Sequence, residues 1–446
     1  MVKVYIEDIN QGIKSAVNLL FTHIEENKQP IIKKSKKVYI KINGIDFKKH
    51  TYTSPEVLEC VIEYLKKKGA EVYVMENSSQ GNLTRIVFEI TGYKEICEKK
   101  GAKIIYLDEE DTRTFDFKYK TSSEEDSKGY NLKTFRLPET IVSIIDNRNS
   151  VTYINLPKLK THSMTVVTLG IKNQWGFPQH ADRGKDHNYN LHSKLVKLYD
   201  LIRPDITIID GVEGTIHGHY SPTAWENELI IPFNILIGGR DTLAVDVIGA
   251  RIFGFSIDEI PHLKIAYEHG LGEGDLNKIQ VIGKDLEEYK EKYDWDIVQK
   301  FPENIRIVKG KELLCREGCQ NNPLIFLQTL AFDYSDKFEG GWFLIMGKGH
   351  DEDLIDQLRA EGYTKGLVAG YCAIDEVGEK LRKEFGRRKV FFSGACNNLA
   401  ETITAELKLS GLSALDLVPN MSSAKVMEII QEAQKQGTKA LITTAF

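Results

Sequence analysis

From residue 38 onward, short apolar runs alternate with longer segments of helical period. Residues 38–44 and 71–76 (Glu-Val-Tyr-Val-Met-Glu) read as strands, and Ser54-Pro55-Glu56 opens a helix between them that closes in a lysine-rich stretch before Gly69. Serine as cap with proline in the first turn is ordinary helix-start chemistry. The pattern predicts a helix over 84–100, then strands over 103–108, 151–156, 205–210, 233–237 and 279–282. Helices are predicted over 162–174, 191–202, 241–253 and 261–269. Strands alternating with helices specify parallel β/α winding. The charged, turn-rich stretch 109–133 reads as a surface hairpin, and the acidic, aromatic stretch 284–304 as a connection.

Beyond it the rhythm tightens. Strands are predicted over 342–346, 366–370, 389–392, 415–418 and 440–444, with helices over 351–361, 374–386, 397–409 and 423–436. The predicted fold class is α/β: a large parallel or mixed-sheet domain over 1–310 and a smaller doubly wound, flavodoxin-like domain over 311–446.

Composition narrows the function classes. The 446 residues carry 59 basic and 64 acidic side chains, a formal net charge of -5, which gives no general electrostatic case for nucleic acid. No apolar run approaches the roughly 20 residues needed to span a bilayer, and the N-terminus lacks the pattern of a secretory signal. A cytoplasmic, reducing setting is expected, where clustered cysteines bind metals or catalyse instead of forming disulfides. No Gly-x-Gly-x-x-Gly or Walker loop occurs, and Met346-Gly-Lys-Gly349 is too short to be either.

Four of the six cysteines fall in the C-terminal part. Cys315 and Cys319 share one loop, whereas Cys372 and Cys396 each sit where a predicted strand runs out into a glycine-bearing turn. Carboxyl ends of neighbouring parallel strands are where an open α/β sheet gathers ligands. Four thiolates suit a [4Fe-4S] cluster, favoured here, or a tetrahedral zinc. Cys60 and Cys97 lie in amphipathic helix patterns and read as core residues.

A second constellation lies in the large domain. The run Pro157-Lys158-Leu-Lys160-Thr161-His162, followed by Lys172-Asn173, places lysines and a histidine at a strand end and predicted helix start, a natural pocket for carboxylate or phosphate. Seven of the 11 histidines fall between residues 50 and 219, among them His180, His187, His192, His217 and His219. Anion binding is expected of Lys158, Lys160 and Lys172, and proton transfer of His162 or His192, with Lys172 beside them in the catalytic set. Further polar contacts are expected of Asn173, Asp210, His217 and His219.

The Pro157–His162 run, Lys172-Asn173, Pro204-Asp205 through Asp210-Gly211, Asp241 with Ala244-Val-Asp246, and Gly270–Gly274 together resemble the domain of unknown function 362 family, over residues 38 to about 283. That resemblance implies an iron-sulfur association, with the cysteine domain similar to a tail found on some members. The family commonly continues after Asp-Gly with Met-Glu-Gly-x-Gly-Pro, whereas here the loop reads Thr215-Ile-His-Gly-His-Tyr220, so no substrate carries over. The function expected is an iron-sulfur redox enzyme acting on a small anionic substrate in a His/Lys-lined cleft, with a possible electron-transfer partner. The alternatives are a non-catalytic cluster or metal carrier, and a zinc- or nickel-dependent isomerase or hydrolase with structural cysteines.

Overall fold

The structure is a computed structural model that describes residues 1–25, 30–116, 134–186 and 190–444. His187 and most of the hairpin expected over 109–133 lie outside the described residues. The strands, in chain order, are β1 (Val2–Asp8), β2 (Lys37–Ile42), β3 (Glu71–Glu76), β4 (Lys103–Tyr106), β5 (Thr112–Asp116), β6 (Thr134–Pro138), β7 (Thr152–Leu156), β8 (Lys158–His162) and β9 (Val166–Val167). They continue as β10 (Ile206–Thr215), β11 (Ile230–Ile231), β12 (Ile235–Gly239), β13 (Ile279–Gly283), β14 (Ile305–Lys309), β15 (Trp342–Met346), β16 (Gly366–Ala369) and β17 (Val390–Ser393).

The larger sheet has the order β13-β1-β12-β10-β7-β2-β3-β4. The β10-β7-β2-β3-β4 stretch is parallel, while β12 runs antiparallel to both β1 and β10. Alternate residues along each strand serve opposite faces. Val38, Ile40, Val72 and Val74 pack beneath the helices Ile13–Glu25 and Pro55–Lys67, whereas Tyr39, Met75, Tyr153 and Ile209 join the core formed with the helices Leu191–Leu201 and Thr242–Ile252. Because β2, β3 and β7 run the same way, their carboxyl ends open on one edge. There the chain passes Pro157 and continues as β8, which follows β10 through the pairs Asp210 with Lys158 and Thr215 with Lys160.

Several expected elements change. The helix expected over 84–100 is two, Thr84–Ile90 and Tyr93–Lys100, broken at Gly92 with φ 78°. The helix expected over 162–174 is the end of β8, a tight return through β9, and a helix of only five residues, Leu169–Asn173. Its start is set by Asp246, whose carboxyl oxygens accept from the Gly170 and Ile171 N–H groups at 2.7 and 2.8 Å. His162 therefore sits at a strand end, and the shared helix face expected for His162 and Lys172 does not exist.

The smaller sheet is β14-β15-β16-β17, all parallel and in chain order. Helices cover both faces, Asn321–Asp333 and Leu399–Leu409 on one, Leu354–Ala360 and Glu379–Phe385 on the other. A flavodoxin sheet has five strands in the order 2-1-3-4-5, so the likeness stops at the α/β class. The strands expected at 415–418 and 440–444 are single 3-10 turns, Ala414–Leu417 and Leu441–Thr444. A Ser413–Asp416 capping box winds the first, and short apolar runs do not distinguish a buried turn from a strand. β14, which ends at Lys309, pairs with β15 as part of the smaller sheet. Leu83 and Ile86 of the larger body share a core with Phe326, Leu330, Ile403 and Leu407 of the smaller one. No helix among the described residues is long and apolar enough to cross a membrane.

Candidate functional site

The carboxyl ends of β2, β3 and β8 meet around a small buried cavity of about 90 Å³. β2 contributes Lys41 and, just beyond it, Asn43; β3 contributes Glu76 and Asn77; β8 contributes Lys160 and His162. The short helix Leu169–Asn173 adds Lys172 and Asn173, and the helix His180–Asp186 adds Arg183. Four cationic side chains thus face one acidic one among the described residues. The acid is already engaged: Glu76 pairs with Lys41 at 2.5 Å and accepts from the Asn77 and Gly44 N–H groups at 2.8 and 2.5 Å.

The surplus charge strains the lysines. Burial pushes the Lys172 amine down to about 7, helped by the Arg183 and Lys41 charges. Lys160 is driven well below its ordinary value by burial and then by Lys172 and Lys158. Its Nζ donates to the Thr51 carbonyl at 2.5 Å, whereas no hydrogen bond or ion pair among the described residues engages the Lys172 Nζ. Arg183 donates to the Pro178 and Ser78 carbonyls at 2.9 Å each, and burial lowers it to about 10. Burying cations without partners is costly unless an anion joins them.

His162 is 4% exposed, and its Nδ1 accepts from the Met164 N–H at 3.1 Å. In the neutral ring the proton then resides on Nε2. The ring stacks on His219, centroids 3.7 Å apart and planes 1° apart. Asn173 is fixed by Asn43 and Asn155, at 2.7 and 2.8 Å.

The remaining expected residues divide. Lys158 and Asp210 do not line the cavity; they pair with each other at 3.1 Å, and Asp210 also accepts from the Ser54 N–H, so they fasten β8 to β10. His217 turns to the Asp296 carbonyl at 3.1 Å. His192 also lies outside the cavity wall: its Nδ1 stands 3.2 Å from that of His262, and burial together with the Lys172 charge lowers it to about 4. Lys41, Glu76 and Arg183 were missed from the expected set. A lysine inside the apolar run of β2 and a glutamate closing β3 were the signals available in the sequence.

The cysteines converge in part. Cys319 is buried and its thiol is pushed up to about 12, by burial first and then by the charges of Cys396, Cys315 and Cys372. The charges of the other three thiols thus all act on Cys319. Gly370 (φ 86°) lies so close that an added Cβ would stand 2.5 Å from the Cys319 Sγ. Ala395 (φ 52°) and Asn397 (φ 75°) hold left-handed backbone on either side of Cys396, a strain that clusters at functional sites. Among the described residues, no group of three or more His, Cys, Asp or Glu side chains is gathered in an arrangement that could hold a metal ion. Cys60 and Cys97 are buried in helices, as expected.

Residues 38–251 match the model of the family described as Domain of unknown function (DUF362), and the resemblance read from the sequence holds over that segment. The chain is also 27% identical over 178 residues to the thylakoid-associated protein sll1697 of Synechocystis sp. (strain ATCC 27184 / PCC 6803 / Kazusa). That alignment covers 37% of this chain and 49% of the relative, so the chain matches about half of the relative's length.

Proposed function

We propose that the protein is an iron-sulfur redox enzyme acting on a small anion held by Lys160, Lys172 and Arg183, with Cys315, Cys319, Cys372 and Cys396 as cluster ligands. The observation that carries this reading is the position of the cationic cavity relative to the thiols. Asn322 and Leu399 line its wall, each three residues beyond a cysteine, Cys319 and Cys396 respectively. Three residues span at most about 10 Å. The chemistry of the donors suits the group, since four thiolates complete a cubane, although among the described residues they are not drawn together as a ligand set; the Gly370 backbone lies close against one of them. When bound, a [4Fe-4S] cluster supplies single electrons.

The protein side chains have their own tasks. An entering carboxylate or phosphate returns Lys160 and Lys172 to their charged forms, because an opposite charge favours the protonated amine. Arg183, held by the Pro178 and Ser78 carbonyls, offers a fixed guanidinium. Before an anion enters, Lys172, with its pKa near 7, exchanges a proton at Nζ, and the bound anion holds that proton in place. His162, whose Nδ1 accepts from the Met164 N–H, stacks on His219 at the cavity wall beside Met164 and Trp175.

Anaerobic purification with iron and sulfide quantification tests the reading. Brown protein with stoichiometric iron is expected, and Cys396→Ser should lose that iron. Colourless protein carrying zinc would assign the thiols to a structural site, and full iron in the variant would overturn the ligand assignment.

A further inference from the structure

The cationic chamber adjoins a second cavity of about 450 Å³ between the two bodies. Five residues, Ile45, Ser79, His219, Asn322 and Leu399, line both, so the two spaces share one wall. The chambers differ in chemistry. The small one holds unbalanced positive charge in a space of about 90 Å³, suited to a compact head such as one carboxylate or phosphate. Phe326, Ile403, Leu407, Val418 and Ile442 give the large one apolar walls. Two of its polar pairs are already made: Lys48 pairs with Asp333 at 2.8 Å, and the Tyr220 hydroxyl donates to Asp46 at 3.1 Å. A space of 450 Å³ falls within the range of about 300–1,000 Å³ typical of sites for larger ligands, and a small anion would leave it empty.

We infer that the substrate is amphipathic, a single carboxylate or phosphate head seated among Lys41, Lys160, Lys172 and Arg183, joined to an apolar body that fills the chamber lined by Phe326, Ile403 and Leu407. This rests on the anion-cavity reading above and names its substrate class. His219, stacked on His162, lies on the wall common to both chambers, where the head and body of such a substrate would join, and Asn322 and Leu399 extend that wall towards the cysteine turns. Ordering follows from the charges: the head is drawn to the cationic chamber, and the body extends into the apolar one.

Titration calorimetry of the full-length protein with n-alkanoates from acetate to octanoate, and with alkyl phosphates from methyl to octyl, tests the inference. Affinity should rise about fourfold per methylene, the value of burying one CH₂, in whichever series carries the right head. Octanol and octylamine should not compete. Ile403→Trp, which fills the apolar chamber, should abolish the rise with chain length. Equal affinity for acetate and octanoate, and for methyl and octyl phosphate, would sink the amphipathic substrate and leave the small-anion reading standing. Octanol or octylamine binding as tightly as the anions would also overturn it, since the head would then play no part. Failure of every anion to bind would remove both readings, whatever the iron content.

Discussion

Lys172 carries most of the chemical weight at the residue scale, because it is buried, cationic and without a carboxyl partner among the described residues. Anion affinity should fall as pH rises through about 7, where the amine gives up its proton. Lys172→Met should weaken acetate or phosphate binding by roughly 30-fold or more, the usual cost of removing one partner of a buried charge pair, and flatten the pH profile; titration across that range reads both. The linkage to stability has the opposite sign from a surface lysine. The folded value of about 7 lies below the ordinary 10.5, so between those values the unfolded chain binds the extra proton and the contribution of this group to stability rises with pH. Below about 7 the whole cost of the buried cation is present. Denaturant unfolding should accordingly show Lys172→Met stabilising the protein more in mild acid than in mild base. The residue type was legible in the sequence, as were Lys160 and His162. That Lys158 is neutralised by Asp210 while Lys172 is not was illegible, because it depends on which strand lies beside which.

At the scale of elements, the site is built where regular structure stops. The helix Leu169–Asn173 is too short to stand alone, since nucleation is costly and short helices are marginal, and Asp246 supplies what its length does not. Burial pushes that carboxyl up to about 8 against the two N–H groups it receives. The turn after β16 has the same character. Gly370 adopts φ 86°, its N–H donates to the Ser393 carbonyl at 2.8 Å, and the next N–H, of Tyr371, reaches the Ala395 carbonyl at 2.9 Å, so the Cys372 and Cys396 turns are tied together. Gly370→Ala would place a methyl against the Cys319 sulfur in a backbone region that alanine rarely adopts. A loss of about 1–3 kcal/mol of stability together with bound iron is expected, checked by thermal unfolding and iron analysis; unchanged iron would separate this turn from the cluster site. The strand ends bearing Cys372 and Cys396 were visible in the hydrophobic pattern. The short helix was not, because a run of apolar and small residues from 162 to 174 has helical period whether the chain winds or folds back.

The whole molecule joins two α/β bodies through a core of their own. Leu83 and Ile86 pack with Phe326, Leu330, Ile403 and Leu407, Arg85 reaches Glu432 at 2.9 Å, and the Thr438 hydroxyl donates to Asp108 at 2.9 Å. Such an interface should couple the bodies into one calorimetric transition. Phe326→Ala should destabilise it by about 3–5 kcal/mol or split it in two, and two transitions in the unaltered protein would show the bodies unfolding independently. The chain alone determined the α/β winding, the placing of lysines and cysteines at strand ends, and the family of residues 38–251, because local period, turn chemistry and motif spacing are written along one dimension. Tertiary structure alone decided the order of the smaller sheet, the joining of Lys41, Lys160, Lys172 and Arg183 around one cavity, and the apolar chamber beside it. Those are distances between residues far apart in the chain, and burial, which sets their charges and their chemistry, exists only once the sheets have packed.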